Sequence, residues 1–485
     1  MKREIIIGVE VHVQLLTESK AFCGCANSFG GEPNSRVCPV CLGLPGSLPV
    51  PNRSMIEKAV IAGSALGCTI ARLTKFDRKN YMYPDLPKAY QISQYDMPIA
   101  SGGRLPVTVD GETAEIRIRR VHMEEDTGKN IHSAHGRKES GVDYNRSGTP
   151  LLEIVTEPDL RSPAQAAAFV TAIREIMRSL GVSDCNMEEG SLRCDANINL
   201  WIYEDDTTYA TPIVEVKNMN SFKSIRQALE YETERQEDEW KETRRTLKAG
   251  GKTTRGWNEE RGVTVLQRVK EEEADYRYFP EPDIRPIVLD DELINRLTAG
   301  MAELPAAKRE RFLREYALSE AETEALVSTP GLAEYFEQTV AAKADPKKTA
   351  NWLLSEVKKY LNEKGIDIPA LTVPPAGVAR LLALIEEGTI SGKIAKEVFP
   401  AMADSRKDAD TIVREQGLLQ ISDEKTLLKL IDQAVNANAD SVSDFRQGKE
   451  KALKFLMGHV MKLSKGKANP VHAEELLRRR LTEQQ

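Results

Sequence analysis

The first strand that the sequence predicts has two faces of opposite character. In the stretch "IIIGVEVHVQLL", residues 5–16, apolar and polar side chains alternate. Because side chains alternate across a strand, isoleucine and valine share one face while Glu10, His12 and Gln14 share the other. A carboxylate, an imidazole and an amide therefore stand in a row on a strand whose other face is suited to a hydrophobic core.

Similar alternation recurs between helical segments up to about residue 290. The clearest helix is "SPAQAAAFVTAIREIMRSLGV", where Ser162 can cap the helix, Pro163 suits its first turn and Gly181 ends it. Strands joined by irregular loops and few helices indicate an α+β fold with a mostly antiparallel sheet. The strands are predicted at residues 5–15, 113–118, 151–155, 192–202 and 213–217.

Beyond "FPEPDIRPIVLDDE" the strand patterns stop and helical patterns dominate, including a capping-box start at Ser319 and Glu322. A proline-rich joint, "IDIPALTVPPAG", and a change of composition near "MADSRKDAD" interrupt this region. The helices are predicted at residues 293–304, 306–316, 349–364, 426–435 and 442–463. We therefore expect three domains: an α+β domain over residues 1–292, a helical domain over 293–407 and a helical tail over 408–485.

The composition is that of an ordinary globular protein, with 485 residues of which 41% are hydrophobic and 29% are charged. No apolar stretch approaches the roughly 20 residues that cross a membrane. The N-terminal run lacks a signal-peptide cleavage pattern. Seven cysteines, unevenly spread, do not form the framework of a secreted disulfide protein. These features predict a cytoplasmic protein that makes no membrane contact.

The net charge of −7 is distributed unevenly along the chain. From residue 441 onward there are ten Lys or Arg against five Asp or Glu, so the tail is +5 and the remainder is −12. A basic tail on an acidic body is typical of one confined nucleic-acid contact. A solvated helical surface would give the same charge, and charge alone does not separate the two interpretations.

Four cysteines form the most specific local pattern. In "CGCANSFGGEPNSRVCPVC", Cys23 and Cys25 are followed after twelve residues by Cys38 and Cys41. Two close pairs joined by a glycine-rich loop can place four thiolates around Zn²⁺, and four cysteine ligands leave no open position. The loop at residues 23–41 is therefore predicted to hold a structural zinc. A cluster of reduced buried cysteines, or a redox pair, is the alternative.

Carboxylates and histidines recur throughout the α+β domain. Oxygen ligands with an occasional imidazole suit Mg²⁺ bound to phosphates, and Arg78, Lys79 and Lys88 in "FDRKNYMYPDLPKAYQISQ" could hold phosphate oxygens. An exposed sheet with surface ion pairs is the alternative interpretation. The polar groups in question are Glu10, His12, His122, Glu124, Glu125, Asp126, Glu153, Glu157, Arg193, Asp195, Asn197, Asn199, Glu215 and Lys217.

Long blocks of the chain resemble, in order, the B subunits of aspartyl/glutamyl-tRNA amidotransferases. They cover nearly all of residues 3–290, and the basic stretch "FRQGKEKALKFLMGHVMKLSKGKANP" is similar to the tRNA-binding tail of the same family. The blocks are "IGVEVHVQL", "VCPVCLGLPGSLPVPN", "FDRKNYMYPDLPKAYQIS", "HMEEDTGK", "DYNRSGTPLLEIVTEPD", "MEEGSLRCDANI", "EVKNMNSF" and "DYRYFPEPD".

The resemblance implies a glutamine-synthetase-like catalytic domain and a two-step reaction. The side-chain carboxylate of Glu-tRNA(Gln) or Asp-tRNA(Asn) is phosphorylated with ATP. Ammonia, released from glutamine by a partner amidase (the A subunit of such complexes), then displaces the phosphate. A small third chain, the C subunit, completes the complex. This sequence has no glycine/serine-rich amidase loop and no Cys–His glutaminase signature, which agrees with a separate source of ammonia.

The resemblance also implies roles for individual residues. Glu10, His12, Glu124 and Glu125 are expected to be catalytic and to bind Mg²⁺. The residues expected to hold ATP or line the cavity are Arg78, Lys79, Lys88, Asp195 and Glu215. In the tail, Phe455 is expected in the core, and the residues expected to contact tRNA phosphates are Lys449, Lys451, Lys454, Lys462, Lys465 and Lys467.

Two other functions fit part of the sequence. The chain could be a tRNA-docking scaffold whose polar cavity is vestigial, in which case losing His12 or Glu125 would be tolerated. It could also be a free-standing amide ligase acting on a small amino acid, which would work without tRNA and would leave the basic tail unexplained. The tRNA-dependent kinase accounts for both the cavity and the tail.

Overall fold

The computed structural model describes residues 2–132, 140–270, 275–421, 423–464 and 466–483. It consists of two compact units, Met1–Leu304 and Pro305–Gln485. The first unit is mixed α and β, and the described part of the second is helical. The α+β class predicted from the sequence is therefore confirmed. The proposed division at residues 292 and 407 stays a prediction.

The first unit is built on a large sheet in which the order of strands is β15-β14-β13-β11-β1-β10-β7-β6-β2, with β12 also paired to β11. All of these pairs are antiparallel except β13 with β14. The strands in chain order are β1 Lys2–Gln14, β2 Thr69–Ile70, β3 Leu73–Thr74, β4 Asp77–Asn80, β5 Tyr90–Ser93, β6 Ala100–Val109, β7 Glu112–Glu125, β8 Lys129–His132, β9 Ser140–Asp143, β10 Pro150–Thr156, β11 Leu192–Glu204, β12 Thr207–Ala210, β13 Ile213–Lys217, β14 Lys252–Asn258, β15 Val263–Lys270, β16 Phe279–Pro280 and β17 Ile287–Val288.

Helices cover one face of this sheet. Val9, Val11 and Val13 of β1 are buried in the same core as Phe169 and other apolar side chains of the helices. The opposite face of β1 carries half-buried polar side chains. The helices of this unit are α1 Arg53–Ala65, α2 Pro163–Ser179, α3 Phe222–Thr243, α4 Leu247–Gly250 and α5 Asp291–Ala299.

The ends of α2 follow the signals in its sequence. The Ser162 hydroxyl accepts the Gln165 N–H at 3.1 Å, Pro163 begins the helix, and Gly181 follows with a φ of +61°. The sequence shows a helical pattern before Gly251 but does not define the ends of α3, because its apolar side chains form only a narrow stripe in a highly charged segment. Ile225, Leu229 and Trp240 are nevertheless buried against the sheet side of the unit.

The described part of the second unit contains two hydrophobic cores, one running from Phe312 to Val413 and the other from Leu427 to Leu481. The predicted helix at 442–463 is two helices, because Gly448 adopts a φ of +86° between them. A π-helical turn, Leu353–Val357, interrupts the predicted helix at 349–364. The helices are α6 Pro305–Tyr316, α7 Glu320–Val327, α8 Leu332–Ala341, α9 Pro346–Trp352, α10 Lys358–Lys364, α11 Pro375–Glu386, α12 Gly392–Ser405, α13 Ala409–Glu415, α14 Glu424–Asn436, α15 Ala439–Arg446, α16 Glu450–Leu463 and α17 Pro470–Glu483.

Within the described ranges, no helix has both the length and the apolar character needed to span a bilayer.

The packing of β6 against the end of α1 gives a first test of the fold. A Cβ atom on Gly103 would lie 2.4 Å from Cys68 Sγ and 2.5 Å from the Leu66 carbonyl oxygen, so the backbone would have to shift. We expect Gly103→Ala to lower the free energy of unfolding by about 3 kcal/mol, as overpacked sites do. Gly141→Ala is the control, because no atom of the described residues, apart from its chain neighbours, lies within 4 Å of the position of that Cβ. Urea unfolding of the full chain measures both, and equal stability of the two variants would contradict the packing described.

Candidate active site

A row of four charged side chains crosses the open face of the sheet. The strand register places Arg193 of β11 opposite His12 of β1, His12 opposite Glu153 of β10, and Glu153 opposite His122 of β7. Both imidazole Nε2 atoms lie 3.4 Å from Glu153 Oε2. Glu124, two residues along β7, lies 4.0 Å from His12 Nε2 and 3.7 Å from His122 Nε2. Two carboxylates therefore share two imidazoles.

The two carboxylates stay ionised although they are buried. Burial opposes ionisation of Glu153, but the charges and hydrogen bonds of His122 and His12 hold its pKa well below the usual range. Burial likewise opposes ionisation of Glu124, and the His122 hydrogen bond and the Lys79 ammonium bring its pKa below normal. Burial opposes protonation of His122, yet the two carboxylates raise its pKa to about 9. The negative charges of the two carboxylates are therefore compensated by the positive charges of the side chains around them.

The donor set fits a divalent cation. One ligand atom from each of His12, Glu124 and Glu153 lies within 4.8 Å of the others, so a single ion could reach all three. Carboxylate oxygens are the ligands that Mg²⁺ and Mn²⁺ prefer, and an imidazole can join them. Glu153 and His122 are among the polar groups noted in the sequence, but they were not selected there as site residues. An acidic residue inside the otherwise apolar run "LLEIV" was the available signal.

Lys79 faces this cluster from β4. Burial opposes its charge, but Glu124, Tyr278 and Glu153 raise its pKa above the ordinary lysine value. Its ammonium lies 5.0 Å from the centre of the Tyr276 ring and 5.9 Å from that of Tyr81. An aromatic wall therefore holds a permanent cation near the carboxylates. The role of Lys79 in holding phosphate stays a prediction.

A chain of ion pairs continues the polar face on both sides of the row. Asp126 accepts hydrogen bonds from Gln14 at 2.7 Å and from Arg193 at 2.8 Å. On the other side, Lys217 pairs with Asp195, and its ammonium also lies 3.3 Å from Glu215 Oε1. Asp195 and Glu215 are thus on the predicted face but are tied to a lysine of the protein.

Glu10 lies on the predicted face but outside the cluster of His12, Glu124 and Glu153. Its carboxylate accepts a hydrogen bond from Asn197 Nδ2 at 3.1 Å. It lines a separate cavity of about 330 Å³ together with Arg119 and Lys252. The register explains the separation, because Glu10 and His12 are two residues apart on β1 and face different partners on β10 and β11.

Glu125 is not brought to the cluster, which corrects the grouping expected from the sequence. Neighbouring residues on a strand face opposite sides, so Glu124 and Glu125 of β7 diverge. Glu125 Oε2 accepts a hydrogen bond from Lys88 Nζ at 2.6 Å, and Oε1 accepts the Ile92 N–H at 2.9 Å. Arg78 also lies outside the cluster and donates two hydrogen bonds to the Glu281 carboxylate, at 2.7 and 2.9 Å.

The four predicted zinc ligands come together in the structure. The sulfur atoms of Cys23, Cys25, Cys38 and Cys41 all lie within 4.8 Å of one another. The Cys23 hydrogen bond, the Cys38 N–H and the buried Lys20 ammonium, 3.8 Å from Cys41 Sγ, lower the pKa of Cys41 to about 4 despite its burial. Four sulfur atoms clustered in this way fit a tetrahedral Zn²⁺ site.

The cysteine loop also lies next to the Lys88–Glu125 pair. A cavity of about 140 Å³ is lined by Cys23 and Cys41 on one side and by Lys88 and Glu125 on the other. Gly43, with a φ of +65°, packs so closely on Lys88 that a Cβ atom would lie 2.3 Å from its Cγ. The loop therefore fixes the position of the Lys88 stem.

The predicted tRNA contacts of the tail fall into two groups. Lys451, Lys454 and Lys462 are exposed on α16. Lys449 instead pairs with Asp444 at 2.8 Å, and Lys467 donates to the Gly417 carbonyl oxygen at 2.6 Å. Lys465 lies outside the described residues.

The buried Lys88–Glu125 pair gives a test that does not depend on function. The Lys88 side chain is 7% exposed and that of Glu125 2%. Removing one partner of a buried pair costs about 3–5 kcal/mol, because the other charge is left unpaired. We expect this loss of unfolding free energy for Lys88→Met and a substantial recovery when Glu125→Gln is added.

The control is Arg104→Met, which removes one partner of the exposed Arg104–Glu115 pair on the same sheet and should change stability little. Chemical denaturation of the single and double variants measures the coupling. Additive effects of the two substitutions at Lys88 and Glu125 would contradict a buried ion pair.

Comparison with known proteins agrees with the architecture. A family model described as the GatB/GatE catalytic domain matches residues 5–295, and one described as the GatB domain matches residues 334–481. The B subunit of the aspartyl/glutamyl-tRNA(Asn/Gln) amidotransferase of Moorella thermoacetica is 51% identical over 485 residues, which cover 99% of this chain and 100% of that protein. The protein of the same description from Borreliella afzelii is 48% identical over 478 residues, 98% of this chain and 99% of its own length.

One matched family model spans more than half of the chain, and the relatives match it over nearly their whole length. The chain therefore belongs to the family of aspartyl/glutamyl-tRNA(Asn/Gln) amidotransferase B subunits.

Proposed function

We propose that this chain phosphorylates the side-chain carboxylate of Glu-tRNA(Gln) or Asp-tRNA(Asn) with ATP and then presents the product to ammonia. The observation that carries the proposal is the cluster of His12, Glu124 and Glu153 facing Lys79 on the open side of the sheet. Membership of a tRNA amidotransferase family supplies the substrate class.

The chemistry explains why a phosphoryl-transfer site belongs in an amide-forming enzyme. A carboxylate does not react with ammonia because its leaving group would be oxide. In the first step a carboxylate oxygen attacks the γ-phosphorus of ATP, the bond to ADP breaks, and an acyl phosphate forms. In the second step the ammonia nitrogen attacks the acyl carbon, phosphate leaves with the bonding electrons, and the nitrogen loses a proton to solvent.

The side chains on the open face suit this transfer, which depends on positioning and neutralisation of charge. Lys79 would hold oxygens of the transferred phosphoryl group, since its charge is permanent and it faces the cluster. His12, Glu124 and Glu153 would hold Mg²⁺, which when bound neutralises charge on the phosphates. His122 keeps Glu124 and Glu153 oriented through its contacts at 3.7 and 3.4 Å. No side chain needs to act as a covalent nucleophile.

The remaining polar residues would shape the same cavity. Asp126, fixed by Gln14 and Arg193, closes one side of the row, and the Asp195–Lys217–Glu215 group closes the other. Glu10 would act from the neighbouring cavity of about 330 Å³, beside the basic side chains Arg119 and Lys252. We therefore assign Glu10 to substrate binding and not to the metal cluster.

Ammonia would come from a glutaminase partner, because the name of the relatives describes one chain of a multi-chain amidotransferase. We propose that the partners are an amidase, the A subunit, and a small C subunit. We also propose that the substrate is mischarged tRNA, which the basic tail binds while its amino acid reacts in the catalytic domain. Because charged tRNA is used in the cytoplasm, we place the reaction there. The four-cysteine loop would hold Zn²⁺ as a structural ion.

The kinase proposal predicts the effect of removing one cluster carboxylate. With γ-labelled ATP, Mg²⁺ and mischarged tRNA, and without glutamine, we expect the assembled complex to form labelled acyl phosphate and to release ADP. Glu124→Gln should lower this rate by about 10²–10³, the usual cost of losing one electrostatic contact to the transition state. Glu115→Gln removes an exposed carboxylate from the same strand and should leave the rate unchanged.

The assay also separates the other functions. Full activity of Glu124→Gln would contradict the assignment of phosphoryl transfer to the cluster of His12, Glu124 and Glu153. Turnover with free glutamate would indicate a small-molecule ligase. Tight tRNA binding without any turnover would indicate a scaffold.

The metal proposal for the cysteine loop predicts the zinc content of the purified chain. We expect one zinc per chain by elemental analysis, because four sulfur ligands complete a tetrahedral site. Cys38→Ser should lose most of this zinc and lower the melting temperature, whereas Cys68→Ser, outside the cluster, should retain it. Zinc-free wild-type protein of unchanged stability would contradict the assignment.

A further inference from the structure

Helix α16 presents one continuous exposed stripe. Residues 451, 454, 455, 458 and 462 follow the helical spacing of three, four and seven, so they share one face. All five are exposed. The members of this stripe, which we call the α16 stripe, are Lys451, Lys454, Phe455, Gly458 and Lys462.

Phe455 is the unexpected member, because the sequence pattern placed it in the core. The core side of α16 is formed by Leu453, Leu456 and Val460, which are buried. Phe455 points away from them and is 57% exposed. A single exposed apolar residue is common on proteins. This one, however, is an aromatic ring with Lys451 one helical turn before it and Lys462 two turns after it.

Gly458 is the second anomaly of the stripe. Glycine in a helix interior is less stable than alanine, so its presence calls for a reason. Packing supplies none, since no atom of the described residues outside the helix's own backbone lies within 4 Å of the position that a Cβ would occupy. Its φ is not positive, so the backbone does not require glycine either. What glycine does provide is a gap beside Phe455 at which another molecule can approach the helix backbone.

The charge of the stripe favours a polyanion. Within the ranges that the structure describes, Lys451, Lys454 and Lys462 have no ion-pair partner. Glu450, the acidic residue at the start of the helix, is paired with Arg478 at 3.0 Å. Three ammonium groups outside any close ion pair therefore lie on the same face as an aromatic ring and a gap, and only Lys454 is near enough to Glu450 to influence its pKa.

We propose that the α16 stripe binds an unpaired base of tRNA, with Phe455 stacking on the base, Gly458 admitting its sugar-phosphate backbone and the three lysines neutralising the adjacent phosphates. The inference rests on the proposed tRNA substrate and goes beyond it by naming the contact. Proteins recognise unpaired RNA bases by stacking them on aromatic rings, whereas paired stems offer only backbone and groove. Protein partners and anionic membranes fit the lysines but give Gly458 no role.

The first experiment measures the affinity of the full-length chain for tRNA at several salt concentrations. Phe455→Ala should weaken binding about tenfold, the usual effect of losing one stacked base, without changing the salt dependence. Each of Lys451→Ala, Lys454→Ala and Lys462→Ala should weaken binding and reduce the salt slope by about one. Leu313→Ala, which truncates an exposed leucine on α6, should bind as wild type.

Two further variants distinguish stacking from a structural role. Phe455→Trp should bind at least as tightly as wild type, and its indole fluorescence should be quenched when tRNA is added. Phe455→Leu keeps the apolar surface but not the ring, and should bind as weakly as Phe455→Ala. Gly458→Ala should raise the melting temperature because the helix is strengthened, yet weaken tRNA binding because the gap is filled.

The outcomes separate the contact from the function on which it rests. If the three lysine variants bind tRNA as wild type, the proposed role of the tail in tRNA binding is wrong. If the lysine variants weaken binding but Phe455→Ala and Gly458→Ala do not, the stacking proposal alone is overturned. Full binding by Phe455→Leu would also overturn it, because an apolar contact would then suffice.

Discussion

The arrangement of the candidate active site depends on the alternation of side chains along strands that are packed on one face only. Val9, Val11 and Val13 are buried under the helices, so β1 cannot slip by one residue without exposing all of them. This constraint fixes Glu10, His12 and Gln14 on the open side. The same constraint on β7 and β10 brings His122 and Glu153 into the row with His12. Hydrophobic packing on one face of these strands therefore determines which polar side chains lie on the other face.

The charged side chains of the row are arranged as expected of a site that binds a charged ligand. Two buried carboxylates at close range repel each other and would normally take up a proton. Here Glu124 and Glu153 remain ionised because His12, His122 and Lys79 oppose their charge. Such groups are costly to keep buried, and stability alone would be served by apolar side chains. A preorganised set of this kind is what phosphoryl transfer requires, since little rearrangement is then needed in the transition state.

Local patterns in the sequence predicted the strands and helix ends that depend on residues close together in the chain. Strand alternation gave β1, β7, β10, β11 and β13, and capping residues gave the ends of α2. The bounds of helix α3 were not predicted because its stripe of buried residues lies in a charged segment. One helix was predicted where the structure has α15 and α16, because the sequence does not show that Gly448 takes a positive φ.

The site residues divide according to whether their partners are near in sequence. The four cysteines were found because their spacing alone brings them together. Glu125 was grouped with Glu124 on the family resemblance, and the alternation rule was not applied to this pair because the predicted strand ended at residue 118 whereas β7 continues to Glu125. Glu153 was not selected because its place between His12 and His122 arises from pairing of β10 with β1 and β7, which are distant from it in the sequence. Phe455 was assigned to the core because hydrophobicity does not reveal which side of a helix is covered.

The most direct test of the proposed kinase site is the location of the metal on the sheet. Crystals of the assembled complex with Mn²⁺ and a non-hydrolysable ATP analogue would show the ion by its anomalous scattering. We predict a peak about 2.1 Å from His12 Nε2 and from an oxygen each of Glu124 and Glu153, with phosphate oxygens completing the coordination. A fully occupied Mn²⁺–nucleotide site elsewhere, with no peak in this cluster, would contradict the assignment.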